Sequence, residues 1–95
     1  MRVMLHARLD TRLGNEAIEN GTMPQAMQAL MERLKPEAAY FSPSEGKRSC
    51  TFVFDMQDSS QIPAIVEPLF TALGADVEIV PVMNMDDLRK GLAAL

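Results

Sequence analysis

Between residues 2 and 9 apolar and polar positions alternate, with Val3, Leu5, Ala7 and Leu9 on one side and Arg2, Met4, His6 and Arg8 on the other. Successive strand side chains point to opposite faces, so this stretch predicts a first strand with one apolar and one mixed face. Residues 10–20 are polar, yet Leu13, Ala17 and Ile18 fall at helical spacing and Asn20-Gly21 supplies a stop, which predicts a short helix. Thr22, with Gln25 three residues on and Pro24 in the first turn, reads as a capping box. Ala26, Met27, Leu30, Met31 and Leu34 then share one face of a helix over residues 23–34.

Lys35-Pro36 ends that helix. Residues 38–41 form a short extended run into Ser42-Pro43-Ser44-Glu45-Gly46, whose proline and glycine signal a hairpin. The return strand, residues 48–56, places Cys50, Phe52, Phe54 and Met56 on one face and Ser49, Thr51, Val53 and Asp55 on the other. Asp58-Ser59-Ser60-Gln61 starts a further helix, whose stripe of Ile62, Ile65, Val66, Leu69, Phe70 and Leu73 runs to Gly74. Pro63 suits its first turn, whereas Pro68 is internal and predicts a kink. Residues 76–82 read as the last strand, and Asn84-Met85-Asp86-Asp87 caps a terminal helix carrying Leu88, Leu92 and Leu95.

Strand, helix, strand, strand, helix, strand, helix is the order of an α+β, ferredoxin-like βαββαβ sandwich with a short C-terminal helix, if both crossovers are right-handed. The two crossover helices cover one face of the sheet. The other face would present Met4, His6, Val53, Val80 and Val82 to water, and a second copy packing sheet to sheet would bury them, which predicts a homodimer or higher oligomer.

Composition narrows the functional classes. A chain of 95 residues has room for one domain, residues 1–95, and 47% hydrophobic with 23% charged residues is ordinary for a globular protein. Thirteen acidic against nine basic residues give a net charge of -4, with no basic run longer than two, which argues against nucleic acid or an anionic membrane as partner. A lone cysteine, Cys50, excludes an internal disulfide framework. Charges interrupt the N-terminal apolar residues too early for a signal peptide, and no apolar run approaches the roughly 20 residues of a spanning helix, so a cytoplasmic location is expected.

Three segments carry a resemblance: Lys35-Pro36-Glu37-Ala38-Ala39-Tyr40-Phe41, Phe54-Asp55-Met56-Gln57-Asp58-Ser59-Ser60-Gln61-Ile62-Pro63-Ala64, and Pro81-Val82-Met83-Asn84-Met85-Asp86-Asp87-Leu88. With them the chain resembles, over nearly its whole length, a family of short, uncharacterised bacterial proteins related to the dimeric α/β-barrel superfamily, in which muconolactone isomerase and cofactor-free monooxygenases also sit. The resemblance implies a dimeric α/β barrel. It carries over no catalytic motif residue by residue, and a shared superfold says little about chemistry.

The residues themselves offer one candidate constellation. Histidine alone titrates near neutrality, and His6, on the mixed face beside Arg8, suits a proton-transfer residue next to a cation that anchors an anionic ligand. Tyr40, Thr51, Asp55 and Glu78 are the polar residues most able to converge on that pair, Tyr40 as an orienting hydroxyl, subject to a strand register that one residue of slip would reverse. The expected function is binding of a small, partly apolar organic molecule between sheet and helices, with cofactor-independent isomerisation or oxidation as its chemistry. The alternative is a non-enzymatic homodimeric binding or regulatory module, in which His6 is simply hydrogen-bonded at a subunit interface. Asp58, Asp86 and Asp87 read as helix caps, because capping is what these residues do before an apolar helical run. Met23, Met27 and Met31 read as adaptable packing, and Cys50, alternating with Phe52 and Phe54, as an inert core residue. Neither GxGxxG nor GxxxxGK[ST] nor GxSxG occurs, and a single histidine precludes a multi-histidine metal site, so no cofactor and no metal are expected.

Overall fold

A computed structural model describes residues 1–95. The strands are β1 (Arg2–Arg8), β2 (Ala38–Ser44), β3 (Lys47–Asp55) and β4 (Asp76–Pro81), and the helices are α1 (Thr11–Glu19), α2 (Thr22–Leu34), α3 (Ile62–Leu73) and α4 (Met85–Ala93). A 3₁₀ turn, Ser59–Gln61, precedes α3. All neighbouring strands are antiparallel, in the order β2-β3-β1-β4, the ferredoxin-like arrangement.

The period-two pattern decides which way each strand faces. Leu5 pairs with Phe52 and Ile79, and Val3 with Phe54, all on the face that α1 and α3 cover. Val3, Leu5 and Phe52 are essentially inaccessible there, packed with Leu69 and Leu73 from α3 and Leu30 and Leu34 from α2. Burial of this one stripe per helix and one face per sheet is what holds the layers together.

The expected dimeric α/β barrel is corrected by the topology. The sheet is open, with β2 and β4 as two separate edges, and is not closed into a barrel. Both edges carry a proline. Leu9 N–H donates to the Arg48 carbonyl at 2.9 Å, so the Arg48 backbone faces β1, and its β2 partner Pro43 has its ring nitrogen on the outer side. Likewise Val82 N–H donates to Arg2 at 3.1 Å, which leaves Pro81 with its nitrogen outward on β4. A proline in those places forfeits no ladder bond.

Two local expectations also change. Thr22 does not cap α2: the N-cap is Gly21, in the left-handed region at φ 78°, and Thr22 starts the helix while its hydroxyl donates to Asn20 Oδ1 at 2.7 Å. Only two residues separate α1 from α2, and a glycine turns the chain in that space where a threonine cap would not. β2 runs on through Pro43 to Ser44, because the reversal is made by Glu45-Gly46 alone, both at positive φ. Asp58 and Asn84 cap as predicted, in reciprocal capping boxes with Gln61 and Asp87, and Asp10, for which the sequence reading names no role, caps α1.

α4 stands apart from this packing. None of its residues is buried, and Met85, Leu88 and Leu92 are exposed along one side. Its polar tie is Arg2, whose Nη1 donates to Asp87 at 2.9 Å while Nε donates to Glu37. The chain is 51 Å long, with a radius of gyration of 14.8 Å against about 12 Å for a compact chain of this length.

Candidate functional site

The face of the sheet away from the helices carries three complete cross-strand rows. Ala38, Val53, Met4 and Val80 are in register across β2, β3, β1 and β4 and make an apolar band. The next row is Tyr40, Thr51, His6 and Glu78, and the one beyond is Ser42, Ser49, Arg8 and Asp76. Opposite residues in such rows have Cβ atoms about 5 Å apart, within side-chain reach.

His6 Nδ1 and Thr51 Oγ1 share a hydrogen bond at 3.0 Å, which fixes the ring and leaves Nε2 as the nitrogen open to a ligand. Arg8, half-buried, turns toward the hairpin tip, where Nε donates to Ser44 Oγ at 3.3 Å and lies 3.5 Å from Glu45. Neither Nη group makes a hydrogen bond within the chain. Tyr40 and Glu78, on the outer strands, are exposed at either end of the His6 row.

Asp55 is not brought to this group. It lies on the same face but pairs with Arg2, four residues along β3 from Thr51 or about 13 Å. There its Oδ1 takes the N-terminal ammonium at 2.6 Å and its Oδ2 a hydrogen bond from Gln57. These bonds, with the ammonium's charge, hold the carboxyl below its usual range. Asp58 is lowered as well, by hydrogen bonds from the Ser60 hydroxyl and backbone.

A second consequence of the register concerns the expected ligand. His6 and Arg8 face away from the helices, so a molecule held between sheet and helices would not touch them. The clefts lie on the helix side. One, of about 620 Å³, opens between α1, α2 and the β2–β3 hairpin and includes Leu9, Met23, Met27, Phe41 and Arg48. Another, of about 370 Å³, lies at the end of α2 beside Phe54 and Gln61. Sequence reasoning did not find the first cleft. Nothing in the sequence pattern marked it: Ile18, read there as part of the helical spacing, and Phe41 are exposed by 51% and 59% in the fold.

Cys50 is buried at the floor of that cleft, and burial pushes its thiol up to about 11. No three His, Cys, Asp or Glu side chains cluster in a way that would hold a metal ion, and no helix is long and apolar enough to cross a membrane.

Comparison with solved structures shows the same fold at low identity. The chain is similar to 5-chloro-2-hydroxyhydroquinone dehydrochlorinase from Burkholderia phenoliruptrix AC1100, in complex with 2,5-dihydroxybenzoquinone, with a TM-score of 0.67, 14% identity, and coverage of 90% of this chain and 97% of that one. It is also similar to a de novo designed protein, Ferredog-Diesel, with a TM-score of 0.51 and 12% identity over 85% of each chain. A formyltetrahydrofolate deformylase from Pseudomonas putida KT2440 matches with a TM-score of 0.57 and 12% identity over 86% of this chain and 29% of that one. No curated protein matches by sequence. A family model matches residues 1–95, the whole of the chain described above, and the chain belongs to that family, described as a domain of unknown function, DUF3303.

Proposed function

We propose that the chain works as a homodimer that binds a small organic anion at the polar end of its open sheet face. The observation that carries this reading is the uncovered apolar band of Ala38, Val53, Met4 and Val80, with Val80 43% exposed. The stripe of Met85, Leu88 and Leu92 on α4 begins beside Arg2, at the end of the same face. The accessible surface is 6310 Å². A compact chain of this mass exposes about 5,400 Å², and the excess of about 900 Å² compares with about 800 Å² per partner in a standard interface.

Covering this face dry would strand charge at its polar end, which is costly unless every group is paired. Water or a ligand therefore fills the space over the His6 and Arg8 rows. Arg8 anchors the anion through its free Nη groups, Tyr40 orients it, and Nε2 of His6, steadied by Thr51, transfers a proton. An isomerisation in which His6 removes a proton from one carbon and returns it to another needs no oxidant, reductant or metal. Fold likeness to a dehydrochlorinase supplies no activity by itself, and the reading rests on the open face.

A second reading, a non-enzymatic homodimeric module, is favoured by the His6–Thr51 bond, which already satisfies one ring nitrogen within the chain. Native mass spectrometry of freshly purified protein separates the two. A dimer carrying a small molecule that Arg8→Gln loses while remaining dimeric is the expected result. A bare dimer would favour the second reading, and a monomer would overturn both.

A further inference from the structure

We infer that the cleft on the helix side of the sheet is a separate binding site for a small aromatic carboxylate, anchored by Arg48. Its volume of about 620 Å³ suits a small organic molecule, and its lining mixes apolar surface with a few polar groups. The Phe41 ring meets Phe52 edge-on, with centroids 5.8 Å apart, and lines the cleft while remaining 59% exposed. The same cleft is lined by Met23 and Met27, whose thioethers can pack against the edge of a bound ring.

The charge lies at the mouth. Arg48 and Lys47 make no ion pair, as Arg33, Lys35 and Lys90 elsewhere do not, whereas Arg2, Arg8, Arg12 and Arg89 each have a carboxylate within 4 Å. Arg48, exposed to solvent, lies against α1. Gly14 is buried inside α1, where glycine is a poor helix residue, and a Cβ added there would lie 3.0 Å from Arg48 Nη1. The missing side chain makes room for the guanidinium against the helix, beside the cleft. A planar guanidinium is suited to take a carboxylate through two parallel hydrogen bonds. Because the whole chain carries a charge of -4, attraction of an anion must come from this local pair of cations.

The site lies across the sheet from His6, so it stands or falls independently of the dimer. The test is an NMR titration of protein labelled at its methionine methyl groups, using 2-naphthoate and its neutral analogue 2-naphthalenemethanol. Naphthoate should shift the methyls of Met23 and Met27 and leave Met4, on the opposite face, unmoved. It should bind about tenfold more tightly than the alcohol, as expected for a hydrogen-bonded charge pair. Arg48→Gln should abolish that preference and Gly14→Ala reduce it, while both variants bind the alcohol as the parent does, which also reports an intact cleft. Absence of shifts at millimolar naphthoate, movement of Met4 in place of Met23 and Met27, or an acid preference unchanged in Arg48→Gln would each overturn the proposal.

Discussion

Cys50 and Asp58 show how environment sets the behaviour of single residues. Cys50 is 2% exposed, and burial raises its thiol to about 11 against the opposing effect of a backbone hydrogen bond with Ala7. Near neutral pH the thiol stays protonated, and the thiolate is the reactive form. We therefore expect a thiol reagent to modify native protein only as fast as the chain opens and to modify unfolded protein at once; rapid labelling of the native state would contradict the burial. Asp58 is depressed in the folded state by its bonds with Ser60. Its contribution is thus complete above the ordinary carboxylate pKa of about 4 and fades as pH falls through the lower folded value. Asp58→Asn keeps a capping side chain and removes the charge. Urea unfolding should show the variant less stable than the parent at pH 6, with the gap closing in more acidic solution; a gap that widened would reverse the sign. At this scale, the faces of His6, Thr51 and Cys50 were legible because strand periodicity fixes them. Arg48 over Gly14 and Arg2 on Asp87 were not, because those partners lie 34 and 85 residues apart and no local pattern links them.

Elements were legible where period and punctuation agreed, as in β1, β3 and α3, and less so where tertiary spacing decided. Gly21 and Gly74 illustrate the difference. Both have positive φ, but a Cβ at Gly21 meets nothing within 4 Å, whereas one at Gly74 would lie 2.8 Å from Leu13 Cδ1 and 3.1 Å from Asp10 Cβ. Gly74 therefore closes α3 and also lets it approach the start of α1, where Asp10 N–H donates to the Leu73 carbonyl at 3.0 Å. Gly21→Ala should cost about 1 kcal/mol from backbone strain alone, and Gly74→Ala about 2 kcal/mol or more from strain plus overlap. Equal losses in denaturant unfolding would mean that the close approach relaxes freely. The Thr22 capping signal misled for the same reason, since the short α1–α2 connection required a left-handed residue at Gly21.

At the scale of the whole molecule, the uncovered sheet face and α4 make the isolated chain longer and more exposed than its length requires. The proposed dimer predicts that Val80→Lys, a charge placed in the apolar band on an edge strand that tolerates lysine, yields a folded monomer in analytical ultracentrifugation. A dimer of unchanged mass would mean that this band is not the contact. The apolar band could be foreseen from alternation in β1 and β3, while the open sheet and the helix-side cleft depend on how the layers meet. The outward prolines of the two edge strands bear on how such a chain behaves when crowded. An exposed strand edge is a template for further strands, and growth there leads to filaments and fibrils. Pro43 and Pro81 each withhold a donor from the edge where a newcomer would dock. Face-to-face pairing about a two-fold axis uses up its own surface and stops at two copies. The edge prolines thus favour a finite assembly over an open-ended polymer.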